Sequence, residues 1–113
     1  MKTNTQISKS DIKIRVFTLA DYSNAIEFWS KIEGLALDES ADSPEAVAAF
    51  LQRNPGFSGI ALDPNDQIIG AVLCGHNGRA GALYHLAVAK AHRGKGVAQA
   101  LVSHCYAKLT EAK

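Results

Sequence analysis

The junction at residues 93–96, Arg-Gly-Lys-Gly, is the feature that most constrains how this chain folds. Before it, residues 80–88 form an apolar segment with the length of a strand. After it, helical spacing predicts one apolar face made of Ala98, Leu101, Val102, Cys105 and Leu109. A glycine-rich turn between a strand and a helix exposes the unpaired amides of the first helical turn, where the helix dipole adds positive potential. The junction therefore predicts an anion site.

The residue types at the junction favour a diphosphate as the anion. Gly94 and Gly96 allow the backbone to approach a bulky anion closely, and Arg93 and Lys95 add positive charge. A purely structural tight turn and a nucleic-acid patch are the alternatives, although no aromatic residues are interleaved with the cations for base stacking. The P-loop pattern and the dinucleotide pattern Gly-x-Gly-x-x-Gly are both absent.

The rest of the chain alternates between strand and helix periodicity. Strands are predicted at residues 12–16, 57–62, 67–74 and 80–88. Besides the helix after the junction, two helices are predicted, one from about Asp21 to Gly34 and one from the N-cap Ser43 to the residue before Asn54. The order β-α-α-β-β-β-α predicts an α+β (mixed α/β) fold, with helices packed on a mainly antiparallel sheet. The strand at residues 80–88 is apolar on both faces, which predicts a central position in that sheet.

The composition is that of one small globular domain. The chain has 113 residues, of which 47% are hydrophobic and 20% are charged, and this argues against disorder. The net charge of +1 gives no reason to expect nucleic acid or an anionic membrane as a partner. No apolar run approaches a membrane-spanning length, and residues 1–10 lack the apolar stretch of a signal peptide. We expect a flexible tail at residues 1–10 and a single domain at residues 11–113.

Cys74 and Cys105 are the two cysteines of the chain. Two cysteines are too few for a disulfide framework and too isolated for a zinc site, so the sequence predicts no metal site. We expect both to be buried thiols in a reducing, cytoplasmic environment.

The end of the apolar strand and the junction together resemble a known signature. Leu86-Ala87-Val88, then four residues, then Arg93-Gly94-Lys95-Gly96-Val97-Ala98 is similar to the acetyl-CoA signature of the GNAT superfamily of N-acetyltransferases. That signature is Arg or Gln, two residues, Gly, one residue, then Gly or Ala, and Arg93, Gly96 and Ala98 match it. The resemblance extends over residues 12–113, because the predicted order of strands and helices also fits.

The resemblance implies a GNAT-like acyl-CoA N-acyltransferase fold, with acetyl-CoA as cofactor and an amine of a small molecule or protein as acceptor. It implies that the loop amides of residues 93–98 hold the pyrophosphate of coenzyme A, and that the end of the strand lines the pantetheine arm. The implied cofactor-binding residues are Leu86, Ala87, Val88, Arg93, Gly94, Lys95, Gly96, Val97 and Ala98. A strand amide would polarise the thioester carbonyl, and a base would take the amine proton.

The candidate catalytic residues depart from the family pattern. Family members often carry a glutamate on the fourth strand as base, whereas this strand contains Tyr84 and His85 and no carboxylate. Strict alternation predicts Tyr84 on the face of Leu86 and His85 on the opposite face. Tyr84 or His85 is then a candidate acid or base acting through water, or else both are packing residues. His92 and His104 are predicted to be solvated.

A complete family member continues with a fifth strand, a fourth helix and a closing strand pair. We therefore expect this chain to be a partial GNAT domain, whose apolar strand at residues 80–88 would be a bare edge. It is either a piece of a longer gene product or a chain whose edge is covered by a second copy, so a folded 113-residue species is expected to be at least dimeric.

Two functions follow from the resemblance. The first is an N-acetyltransferase acting on an amine, and the second is an inactive relic that binds coenzyme A or serves as a dimerisation module. The acceptor is not specified by the sequence. The loop at residues 34–42 carries Asp38, Glu39 and Asp42. These acids are compatible with a cationic amine, but the sequence favours a solvated loop.

Overall fold

A computed structural model describes residues 11–112 of the chain. The predicted tail at residues 1–10 lies outside these residues, and the division into tail and domain stays a prediction. The elements follow the predicted order: β1 (Lys13–Val16), α1 (Tyr22–Ser30), α2 (Pro44–Arg53), β2 (Gly59–Leu62), β3 (Ile68–His76), β4 (Gly81–Val88) and α3 (Val97–Glu111). Short 3₁₀ turns precede α1 and α3. The α+β class, with a mainly antiparallel sheet, is confirmed.

The helices begin where the sequence contains start signals. Ser43 caps α2, because its side chain accepts a hydrogen bond from the Ala46 amide at 3.1 Å, and Pro44 occupies the first turn, where its missing amide hydrogen costs nothing. Helix α3 begins at Val97, directly after Gly96 in a left-handed conformation with φ of 84°. Glycine adopts this conformation without the steric cost that a Cβ atom would add.

The four strands form one antiparallel sheet in the order β1-β2-β3-β4. Strand β4 is therefore an edge strand among the described residues, and the predicted central position is wrong. Its apolar residues do not mark burial on both faces, since Leu83 and Leu86 are each 39% exposed. The strand is apolar for another reason: some of its residues line a cleft and others contact helices.

Alternate residues of β3 divide the core into two apolar clusters on opposite faces of the sheet. Ala71 and Leu73 belong to the cluster that contains Trp29 of α1, and Val72 and Cys74 to the cluster that contains Leu101 of α3. The sheet is thus covered by α1 on one face and by α3 on the other.

The buried face of α3 differs by one position from the prediction. Val97, Leu101 and Cys105 are buried at spacings of four residues, whereas Ala98 is exposed. The helix packs closely because Gly70 of β3 faces it, and a Cβ atom there would lie 3.0 Å from Leu101 and from Val97. Because Val97 rather than Ala98 packs on the sheet, Ala98 faces solvent in the first turn of the helix.

Both cysteines are buried and free, as the composition predicts. Burial raises the pKa of Cys105 to about 12, and its neighbour Cys74, also buried, has a raised pKa as well. A thiol with such a pKa is protonated at neutral pH and unreactive, so the pair contributes to packing between α3 and β3.

Candidate functional site

A β-bulge in β4 places the two sequence-predicted catalytic candidates on the same side of the sheet. Leu73 pairs with Tyr84 and Ala71 pairs with Ala87, so that two residues of β4 oppose the single residue between Ala71 and Leu73. One of the two is His85, which has a left-handed backbone with φ of 56°. The predicted alternation, with His85 opposite to Tyr84, is wrong because the extra residue shifts the pleat by one position.

The conformation of His85 is fixed by Trp29, a fully buried residue of α1. The indole Nε1 of Trp29 donates a hydrogen bond to the His85 carbonyl at 2.8 Å, and the two rings lie 5.2 Å apart. A left-handed conformation costs a non-glycine residue about 1–2 kcal/mol. The buried hydrogen bond offsets part of this cost and holds the imidazole at the bulge.

The imidazole of His85 contacts the carboxylate of Asp42, which lies 43 residues earlier in the loop before α2. Its Nε2 is 2.9 Å from Oδ1 and 3.0 Å from Oδ2 of Asp42, and Asp42 is only 8% exposed. The same carboxylate accepts a hydrogen bond from the Asp38 amide at 2.8 Å, and the Tyr22 hydroxyl donates to the Asp42 carbonyl. These contacts fix the carboxylate against the imidazole.

This pairing determines what His85 can do chemically. A carboxylate only accepts hydrogen bonds, so Nε2 is assigned the hydrogen and Nδ1 carries the lone pair in the neutral ring. An imidazole held in one tautomer by a carboxylate presents the lone pair of its other nitrogen in a fixed direction, which is the arrangement that a general base uses. The sequence analysis identified His85 but missed Asp42 as its partner.

A cleft of about 690 Å³ extends from His85 to the glycine-rich junction. Eight of the nine sequence-predicted cofactor residues line it: Leu86, Ala87, Val88, Arg93, Gly94, Gly96, Val97 and Ala98. Lys95, the ninth, is half-buried and is not among the lining residues. The opposite wall is formed by residues 32–36, which follow α1.

The junction has the backbone geometry that an anion site needs. Gly94 and Gly96 have φ of 79° and 84°, and a Cβ atom at Gly94 would meet nothing within 4 Å. The Ala100 amide makes a helical bond to the Gly96 carbonyl at 3.0 Å, and the amides of the three preceding residues have no such carbonyl acceptor within residues 11–112. Arg93 is exposed, and its Nε donates to the Val88 carbonyl at 3.0 Å, which fixes the base of the guanidinium beside the cleft.

His92 and His104 are both half-buried, so the prediction that they are solvated is wrong. His104 lies 3.0 Å from the Gly56 carbonyl through its Nε2 and ties α3 to the loop before β2. His92 lines the cleft, and its Nδ1 is buried without a hydrogen-bond partner among the described residues. Since a buried polar atom without a partner is costly, a polar group bound in the cleft would satisfy it.

A second cavity, of about 330 Å³, lies between α2 and β4. Its apolar lining comes mainly from α2 and from Leu73 and Tyr84, and its ionisable lining consists of Asp38, Asp42, Arg53 and His85. The rings of Phe50 and Tyr84 meet edge to face at 5.9 Å across it. Among the described residues, His85 is the one that lines both this cavity and the cleft.

Residues 11–112 contain neither a membrane-spanning helix nor a cluster of metal-binding side chains. No helix there combines the length and apolarity that crossing a membrane requires. No group of three His, Cys, Asp or Glu side chains lies close enough together to hold a metal ion.

Comparison with known proteins gives one consistent family. A model of the acetyltransferase (GNAT) family matches residues 15–113. An acetyltransferase of Pectobacterium atrosepticum is 31% identical over 99 residues, which are 87% of this chain and 67% of that protein. The chain spans about two thirds of the length of the curated relatives it matches.

Solved structures of acetyltransferases superpose on this chain and have the same fold. A GNAT-family acetyltransferase of Staphylococcus aureus superposes with a TM-score of 0.75 at 18% identity, over 89% of this chain and 67% of that one. The PaiA N-acetyltransferase of Thermoplasma acidophilum, solved in complex with coenzyme A, superposes with a TM-score of 0.70 at 14% identity. That match covers 89% of this chain and 73% of the other.

Proposed function

The chain belongs to the GNAT family of acetyltransferases, and we propose that it transfers an acetyl group from acetyl-CoA to the amine of a small molecule or protein. The observation that carries this proposal is the arrangement of the cleft. One end is the glycine-rich junction and the other end is His85, whose imidazole is paired with Asp42. An anion cradle and a base at the two ends of one cleft are what this reaction requires.

The residues of the cleft fit coenzyme A. Free amides at the start of α3 and the exposed Arg93 suit the diphosphate, while the apolar end of β4 suits the pantetheine arm. The unpartnered Nδ1 of His92 leaves a position for one more hydrogen bond. When bound, acetyl-CoA supplies an acetyl group as a thioester, which ends as the amide of the acceptor while coenzyme A leaves as the thiol.

His85 is the proposed general base. Its Nε2 hydrogen is held by Asp42, so the lone pair of Nδ1 receives the amine proton, directly or through one water molecule. Asp42 holds the ring in the tautomer that this step requires. Tyr84 is 51% exposed and packs its ring against Phe50 in the second cavity, which supports a role in contacting the acceptor rather than in moving the proton.

Calorimetry with acetyl-CoA, followed by an assay of coenzyme A thiol release with a panel of amines, tests the proposal. We expect binding with one site per chain and thiol release that depends on the amine. Absence of acetyl-CoA binding would overturn the assignment of the cleft. Binding without release with any amine would instead favour the alternative, a relic that only binds coenzyme A.

We also propose that two copies of the chain associate through the edge of β4. At the first half of this edge, Leu83 and Tyr106 lie beside each other and are exposed by 39% and 69%, and the outer amides and carbonyls there pair with no strand of the described residues. Light scattering during size exclusion should give at least twice the monomer mass of 12.1 kDa. Leu83→Lys, which places a charge at the edge, should reduce that mass. A monomeric wild-type chain would contradict the proposal.

A further inference from the structure

The second cavity, between α2 and β4, carries opposite charges at its two ends. Asp38 and Asp42 lie before the first turn of α2, next to His85, whereas Arg53 is the last residue of the helix. At a rise of 1.5 Å per residue, the helix from Ser43 to Arg53 is about 15 Å long. Helical side chains lean towards the N-terminus of their helix. The distance from the Arg53 guanidinium to the carboxylates of Asp38 and Asp42 is therefore expected to be shorter than the length of the helix.

We propose that the acceptor is an amino acid-like molecule, with its amine at His85, an apolar body in the second cavity and an anionic group at Arg53. The inference rests on the proposed function, which it deepens by naming the acceptor class. The volume of about 330 Å³ suits a small molecule, and the lining between the charged ends is apolar and aromatic.

The two carboxylates at the His85 end are already engaged with the protein. Hydrogen bonds from Ala41 and Ser40 lower the pKa of Asp38. The same hydrogen bonds stabilise the turn that precedes α2. Asp42 accepts from the Asp38 amide and contacts His85. They therefore supply negative potential that attracts a protonated amine. The amine loses one proton to solvent before it attacks, and the lone pair of Nδ1 of His85 is available for the second proton.

Arg53 is in the opposite situation. It is an exposed residue that lines the cavity, and no carboxylate of the described residues lies within 4.0 Å of its guanidinium. A planar guanidinium binds a carboxylate through two parallel hydrogen bonds, which are stronger than bonds between neutral groups. The same cation repels a second ammonium, so the cavity discriminates against diamines.

Matched acceptors test the inference. We would compare ω-amino acids of three to eight carbons with the alkylamines and terminal diamines of equal length, in the presence of acetyl-CoA. At the best length, the amino acid should exceed the alkylamine in kcat/KM by about tenfold or more, as expected for a hydrogen-bonded ion pair. Arg53→Gln should abolish this preference, mainly through KM. The control Arg79→Gln removes an equally exposed arginine at the β3–β4 turn and should leave the preference unchanged.

A binding measurement separates this inference from the proposed function. Titration of the same ligands into the protein saturated with coenzyme A reports acceptor binding without turnover. Tighter binding of the amino acid that is lost in Arg53→Gln supports the inference, even where no acetyl transfer occurs. Equal binding of amino acid and alkylamine at every length, or a preference that survives in Arg53→Gln, overturns it.

Discussion

Replacing His85 by Asn is expected to lower kcat for acetyl transfer by about 10²–10⁴-fold, which is the usual contribution of a general base. Asparagine keeps a short polar side chain but has no lone pair of suitable basicity. It is also among the residues that tolerate a left-handed backbone, and the position has φ of 56°. The hydrogen bond from Trp29 reaches the backbone carbonyl and survives the substitution. The affinity for acetyl-CoA, measured by calorimetry, should remain unchanged.

His85→Ala serves as the contrasting variant, because it loses the base and also strains the backbone at the bulge. We expect its melting temperature to fall below that of His85→Asn, while both lose kcat to the same extent. Asp42→Asn should retain the imidazole but weaken control of its tautomer, which should lower kcat by less than His85→Asn does. A His85→Asn enzyme with wild-type kcat would exclude His85 as the base.

The backbone geometry of the glycine-rich junction could be predicted from the sequence because its determinants are contiguous. Glycines at 94 and 96, a helix start at Val97 and the preceding apolar strand all lie within one short stretch, and local geometry alone makes such a junction bind anions. The same locality explains the predicted caps at Ser43 and the order of elements. These features depend on neighbours in sequence, so a pattern reveals them.

The contact between His85 and Asp42 could not be predicted in the same way, because it depends on residues that are distant in sequence. Asp42 lies 43 residues before His85 in a loop whose acids are indistinguishable by sequence, and only Asp42 is buried against the imidazole. The bulge is equally nonlocal, since the register of β4 on β3 decides which residue is extra. Histidine tolerates a left-handed backbone better than most residues, but this preference is too weak to predict a bulge. Strict alternation along the strand therefore predicted the wrong face for His85.

The edge position of β4 illustrates a related limit of pattern reasoning. A strand that is apolar on both faces is typical of the centre of a sheet, yet here the apolar residues line a cleft and an exposed edge. Periodicity reports that a surface is apolar, and it does not report whether a strand, a helix or a ligand covers it. The apolar composition of β4 is therefore explained by the lining of the cleft as well as by packing in the core.

The variant Ala98→Glu is expected to weaken acetyl-CoA binding strongly without harming the fold. Ala98 is exposed in the first turn of α3 and lines the cleft beside Gly96, so a carboxylate there would face the proposed diphosphate site. A unit charge about 6 Å from another, at an effective dielectric constant near 20, changes the dissociation constant by roughly a hundredfold. An acidic residue at a helix N-terminus stabilises the helix, so the melting temperature should not fall.

Ala98→Gln is the matched control, because it adds a side chain of equal size without the charge. The difference in the calorimetric dissociation constant between the Glu and Gln variants isolates the electrostatic effect from steric obstruction. This difference should shrink as salt is raised from low to high ionic strength, since screening acts on exposed charges. If the two variants bind acetyl-CoA equally at low salt, the diphosphate does not lie at the start of α3, and the cleft binds its ligand in another orientation.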